Sequence, residues 1–175
     1  MSLMDELAAL ANEKLGVHGS NLTEVATLLS KATSLPKLLA AKNEATRWSR
    51  NVSFAFTEGL DDAENIALAS RNAEGPADAL RHCFLAAMLA RDLGYTDAMD
   101  VLVAHEMNAA WGSPASQMDL FNNAVGLEIG TRMKAASDVD LQVAALDAFL
   151  QGRLRVLDHN DGDKLVPTRS LTFGR

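Results

Sequence analysis

Residues 76–93, P-A-D-A-L-R-H-C-F-L-A-A-M-L-A-R-D-L, constrain the fold of this chain more than any other stretch. Asp78 and His82 are four apart and share one face of a helix, with Arg81 at its edge. That face continues as Leu85 and Leu89, while Leu80, Phe84, Ala87 and Met88 fill the opposite one. Beyond its first two turns the helix is apolar nearly all round, which requires it to be central and buried. Pro76 suits its first turn and Gly94 its stop. Its polar residues sit at the N-terminal end, where the helix dipole favours anions.

Two further helices carry polar residues toward the same place. On the first, His105 shares a face with Val101, Leu102 and Asn108, and Glu106 points well away from it. A histidine on an apolar stripe requires a partner. On the second, Asp119, Asn122, Asn123, Gly126, Gly130 and Met133 fall on one stripe at spacings of three and four. Glycines cost helix stability, so this pair implies close approach of another backbone or of a ligand. The three helices are expected to meet at one polar site.

With 175 residues, 48% of them hydrophobic and only 5% aromatic, the alanine-rich chain is expected to form an all-α, single-domain irregular helical bundle. A short extended C-terminal tail completes it. The expected divisions are N-terminal helices over 1–70, a helical core with the polar site over 71–152, and a hairpin or extended tail over 153–175. In the first part, Leu3 to Ala11 form an amphipathic helix, and Asn21 with Glu24 forms a capping box opening a second helix that runs to Ala32. Pro36 opens a third, running to Phe56 or breaking near Asn51, and Asp61-Asp62 opens a short helix to Ala69. His18 lies in a Gly-rich turn and reads as an ordinary surface histidine.

Further on, Thr96 is the expected cap of the His105 helix, which stops before Pro114, and the next begins near Ser116. Ser137 or Asp138 caps a last helix whose apolar side carries Val139, Val143, Leu146, Phe149 and Leu150, ended by Gly152. Asp158 to Asp163 resembles a calcium loop, but glycine is fifth rather than sixth and Arg169 occupies the glutamate position, so it reads as a solvated turn.

Several function classes are excluded. A formal charge of -7 with scattered arginines argues against general nucleic-acid binding. The single cysteine, Cys83, excludes a disulfide framework or a cysteine-rich zinc site and reads as a buried thiol. No run is long and apolar enough for a transmembrane segment. The acidic start M-S-L-M-D-E does not resemble a secretory signal, so the chain is expected to be cytoplasmic as synthesised and, if exported, to travel without a cleaved signal peptide. No zinc-protease helix, G-x-S-x-G elbow, phosphate loop or dinucleotide fingerprint is present.

Asp78, His82, His105 and Asp119 supply nitrogen and oxygen ligands suited to a divalent metal, zinc, manganese or iron. Glu106 and Asn123 are candidates for the base or for support of the ligands, and Arg81 for stabilising developing negative charge. The order H, H-E, D matches all-helical metal phosphohydrolases in residue type alone, the spacings being much shorter. A metal-free scheme uses His82 or His105 as general base, oriented by Asp78 or Asp119, with Arg81 and the asparagine amides holding the oxyanion; Ser113 and Ser116 lie near its mouth. These schemes lead to a hydrolase acting on a small phosphoester or a cell-envelope substrate. The alternative is a helical adaptor whose polar cluster only specifies packing, and which meets a protein partner or a second copy through the N-terminal helices.

The blocks Asp78-Ala79-Leu80-Arg81-His82, Ala104-His105-Glu106 and Met118-Asp119-Leu120-Phe121-Asn122-Asn123-Ala124-Val125-Gly126 resemble a bacterial domain family of unassigned biochemical function. Its pattern is approximately D-A-[FL]-R-H-A, A-H-E and M-D-x-x-N-N-x-x-G, with a leucine-valine-proline-threonine segment near the end, here Leu165 to Thr168. The resemblance covers the chain from Asn72 onward and departs at Cys83-Phe84-Leu85-Ala86, where the family usually has alanine, aromatic residues and asparagine. It implies a shared site and a role in secreted, wall-associated or toxin-like proteins, including an antibacterial effector, without supplying a reaction.

Overall fold

The computed structural model describes residues 34–57, 74–106 and 112–168, together with Thr27. The expected helices Leu3 to Ala11 and Ala63 to Ala69, the capping box at Asn21, the body of the helix that follows it, and His18 lie outside the described residues. The described part is all-α with a small C-terminal hairpin: α1 (Leu35–Thr57), α2 (Pro76–Leu93), α3 (Tyr95–Glu106), α4 (Pro114–Arg132) and α5 (Asp138–Leu150), then β1 (Arg155–Asp158) and β2 (Lys164–Pro167). Among the described residues, no helix is long and apolar enough to cross a membrane.

The central position expected for α2 is what the structure shows. Every residue from Pro76 to Ala90 is buried except Arg81 and Leu85, one turn apart on one line. The other helices and β1 pack around it. α1 runs unbroken through Asn51, and Leu38, Ala41, Ala45 and Ser49 form its buried stripe. Trp48 meets Phe84 edge-on, with ring centroids 4.9 Å apart, fixing α1 against α2.

The closest packing joins α2 to α4. A Cβ on Gly126 would lie 2.1 Å from the Cys83 carbonyl oxygen, and one on Gly130 would lie 2.0 Å from that of Ala87. The glycines therefore answer to another backbone, as their spacing suggested. Both contact pairs advance by four residues in the same sense, so α2 and α4 run parallel. α3 is the return path between them, beginning at Tyr95 after the single residue Gly94, whose φ is +86°. The N-termini of α2 and α4 and the C-terminus of α3 consequently lie at one end of the bundle.

Helix starts differ slightly from expectation. Gly94 rather than Thr96 precedes the first bonded turn of α3, its carbonyl accepting from the Ala98 N–H. α4 begins at Pro114, two residues before Ser116, because the Ser113 hydroxyl accepts from the Ser116 N–H and proline tolerates the first turn. Ser137 forms a full capping box with Asp140 on α5.

One apolar face was misread. Val139, Val143 and Leu150 of α5 are exposed, and the buried side is Leu141, Ala145, Ala148 and Phe149. Small residues let α5 lie close to α2, and that closeness outweighs the larger valines. The hairpin pairs β1 antiparallel to β2, with Val156 opposite Val166. Asn122 holds it to α4, its amide donating to the Arg155 carbonyl at 2.9 Å and accepting from the Arg155 N–H at 2.8 Å. Residues 159–161 form one exposed 3-10 turn between the strands, closed by Gly162 at φ +64°.

Candidate functional site

Asp78, His82 and Asp119 converge where α2 and α4 begin. One ligand atom from each lies within 4.8 Å of the others. His82 Nε2 is 3.4 Å from Asp78 Oδ1 and 3.3 Å from Asp119 Oδ1, while His82 Nδ1 faces Asn123 Oδ1 at 3.3 Å. A carbonyl oxygen accepts but cannot donate, so Nδ1 carries the proton in the neutral ring and Nε2 offers its lone pair to the carboxylate side. Metal-binding histidines are oriented in this way, by a second partner on the other nitrogen.

Asp78 divides its two oxygens between two tasks. Oδ2 accepts from the Glu74 N–H at 2.6 Å, and Oδ1 accepts from Arg81 Nη2 while facing His82. The Arg81 guanidinium also lies 3.0 Å from His82 Nε2 and is partly exposed, at the edge of the cluster. Glu106 is only 2% exposed, and its Oε1 has no hydrogen-bond partner among the described residues. Asn123 Nδ2 and the Ser116 hydroxyl are likewise buried without a hydrogen-bond partner there, and Asp119 Oδ1 has only the approach of His82 Nε2. Packing alone rarely leaves so many polar atoms unpaired around one point.

The electrostatics follow from burial. Burial opposes the charge on Asp78, but the hydrogen bond and charge of His82, the charge of Arg81 and the Glu74 N–H outweigh it and hold the carboxyl below its usual range. Burial also opposes the charge on His82; the hydrogen bond it donates to Asp78 and the charges of Asp119 and Asp78 prevail, so the imidazole holds its proton more tightly than usual. For Asp119 burial wins and pushes its pKa up to about 7, with Asp78 and Glu106 adding to the rise and His82 pulling against it. Glu106 is raised as well, chiefly by burial. Three carboxylates thus share a partly dry space with one guanidinium and one imidazole. A divalent cation would relieve that excess of negative charge, and the donor set of two carboxylates and one imidazole suits zinc, manganese or iron.

The structure brings together Asp78, Arg81, His82, Glu106, Asp119 and Asn123. It does not bring in His105, expected as a ligand or base, which is exposed and stands outside the Asp78–His82–Asp119 group. The expected apolar stripe through Val101, Leu102 and His105 is displaced: Ala98, Leu102 and Glu106 form the line that turns inward. That line is spaced by four residues throughout, and adjacent residues on a helix point about 100° apart, so a small error in phase exchanged histidine for glutamate. Asn122, on the expected polar stripe, serves the hairpin instead.

Glu74 was missed altogether. It is a non-glycine residue at φ +63°, and no feature of residue type announces such a conformation. Cys83 lies in the α2–α4 seam, away from solvent, and burial pushes its thiol up to about 12, consistent with a structural thiol. No solved structure matches this chain. Residues 25–152 match the model of a family described as Domain of unknown function (DUF6973), and the chain belongs to that family.

Proposed function

We propose that this protein is a metal-assisted hydrolase acting on phosphoesters. The observation that carries the reading is the convergence of Asp78, His82 and Asp119 ligand atoms within 4.8 Å. A divalent cation held there by Asp78, His82 and Asp119 would supply Lewis-acid chemistry, lowering the pKa of a water and polarising a phosphoryl oxygen. His82 presents Nε2, fixed by Asn123 on its other nitrogen, and Asp78 and Asp119 supply carboxylate oxygens. Glu106, buried beside them with a raised pKa and an unpaired oxygen, is the base that takes a proton from the attacking water. Arg81, partly exposed at the edge, meets the negative charge that develops on the substrate. The resemblance of the motif blocks to a family that occurs in secreted and toxin-like proteins is the ground for placing this chemistry in an antibacterial effector, with envelope phosphoesters among its substrates.

The test is elemental analysis and titration calorimetry of the untagged protein with zinc, manganese and ferrous iron, followed by hydrolysis of nitrophenyl phosphate mono- and diesters. About one ion per chain is expected. His82→Ala should lose the ion, and His105→Ala should retain it, reflecting the exposed position of His105. Folded wild-type protein that takes up none of the three ions would overturn the reading.

A second reading, a helical interaction module, is favoured by the exposed line Val139, Val143 and Leu150 on α5. It predicts that Val143→Asp changes partner binding or self-association. Under that reading His82→Ala leaves function intact.

A further inference from the structure

Glu74 stands outside α2 yet joins the site to the C-terminal hairpin through three contacts. Its N–H donates to Asp78 Oδ2 at 2.6 Å, its carbonyl accepts from the Leu157 N–H of β1 at 3.0 Å, and its carboxylate lies 3.4 Å from His159 Nε2 in the turn between the strands. His159 in turn pairs with Asp163 through Nδ1. Glu74 holds a φ of +63°, a left-handed conformation that side chains other than glycine, asparagine and aspartate seldom adopt. Such a conformation persists where the surroundings over-determine it, and it is concentrated at functional sites.

The hydrogen bond matters because of what it leaves free. With Oδ2 occupied by the Glu74 N–H, Asp78 cannot rotate away, and Oδ1 is held toward His82 Nε2 and the point where the three ligand atoms meet. Asn123 does the same for the imidazole, from α4. The Leu157 N–H fixes the peptide that follows Glu74, and through it the hairpin bears on Asp78. The hairpin lies beyond residues 25–152, the part matched by the family model.

We propose that Glu74 is a positioning residue for the metal ligand Asp78, and that the C-terminal hairpin is part of the site because it holds Glu74 in its left-handed conformation. The proposal rests on the metal-binding reading of Asp78, His82 and Asp119. Glu74 works through its backbone, so its side chain is the lesser part of its role. A helix cap at this position would make a different prediction, since a cap alters stability but not the ion affinity of the folded protein.

The experiment is calorimetric titration of manganese into the full chain, with thermal denaturation recorded for each variant. Glu74→Pro removes the N–H and cannot take a positive φ. Glu74→Gly keeps the N–H and favours that φ. Loss of a residue that orients a metal ligand typically costs 10–100-fold in affinity, so Glu74→Pro should bind about tenfold to a hundredfold more weakly. Glu74→Gly should bind as the wild type does and melt no lower. If the proline variant fails to fold, Glu74→Val, whose branched side chain resists positive φ while keeping the N–H, should show a loss of several-fold.

Weaker binding by the proline or valine variant, rescued in the glycine variant, supports the proposal. Equal affinity in a folded proline or valine variant overturns it and leaves the metal site standing. Wild-type protein that binds no manganese, zinc or ferrous iron overturns both.

Discussion

Burial dominates the ionisation of Asp119. Its carboxyl is pushed up from an ordinary 3.8 to about 7, chiefly by burial. The folded state therefore binds this proton more tightly than the unfolded chain does. Stability present below about pH 4 is lost as pH rises toward 7 and stays lost above it. His82 acts in the same direction: its raised pKa contributes stability below its usual 6.5 that disappears as pH rises through the folded value. Asp119→Asn should consequently be more stable than wild type at pH 8, without metal, by on the order of 2 kcal/mol. A full shift of this size would correspond to about 4 kcal/mol, and His82 losing a partner offsets part of it. Urea denaturation in chelator at pH 3.5 and pH 8 measures the gap, which should close at the lower pH. A gap of the same size at both would show that ionisation is not its source.

At this scale the sequence was informative where chemistry and spacing coincide. Asp78 and His82 are four apart on a helix that is otherwise mostly apolar between Arg81 and Arg91, so their shared position could be read directly. Asp119 and Asn123 repeat that spacing on α4, and both reach His82. On α3 the candidate base Glu106 was named but the facing was misread, His105 being set inward and Glu106 outward, because histidine is the more familiar ligand while the inward phase is set by Ala98 and Leu102. Glu74 was illegible in principle, its role depending on a backbone angle and a hydrogen bond rather than on its side chain.

Among the elements, the α2–α4 pair does most to define the fold. Gly126 and Gly130 were visible as a four-residue repeat, and close approach was the expected reason for them; that the approach is carbonyl to Cα, and that the helices run parallel, required the coordinates. A methyl group at position 126 would overlap both the Cys83 carbonyl and the Ala86 side chain. Neither can swing aside, since one is backbone and the other has no rotamer. Gly126→Ala should therefore lower stability by about 1–3 kcal/mol, although alanine is the better helix former. Thermal denaturation would reveal the sign, and an increase in melting temperature would contradict the packing. The last helix shows the converse limit. Its large apolar residues suggested a face, yet alanines decided it, because a tightly packed interface selects for small side chains that a hydrophobicity pattern weights least.

For the molecule as a whole, the all-α class followed from low aromatic content and helical spacing, and the hairpin was one of the two forms expected after Gly152. An assembly that keeps three carboxylates close in a largely buried site gains stability when a cation joins them. Ligand present at a hundred times its dissociation constant stabilises a protein by about 2.7 kcal/mol, which for a chain of this size is a rise of roughly 5–10 °C in melting temperature. Manganese or zinc at that excess should produce such a rise, and chelator should reverse it. His82→Ala should melt at one temperature with or without the ion.

The glycine seam has a consequence for the choice of that ion. Asp78 and His82 belong to one helix and Asp119 to the other, so the opening between them is fixed by how near the two helical axes come. That distance is set deeper in the bundle, at Gly126 and Gly130, where carbonyl oxygens rest against bare Cα atoms and nothing remains to compress. The aperture thus has a hard inner stop and no matching outer one. Were an ion held there, its radius would be gauged by two residues that never touch it, and any substitution that thickens the seam would favour larger cations over smaller.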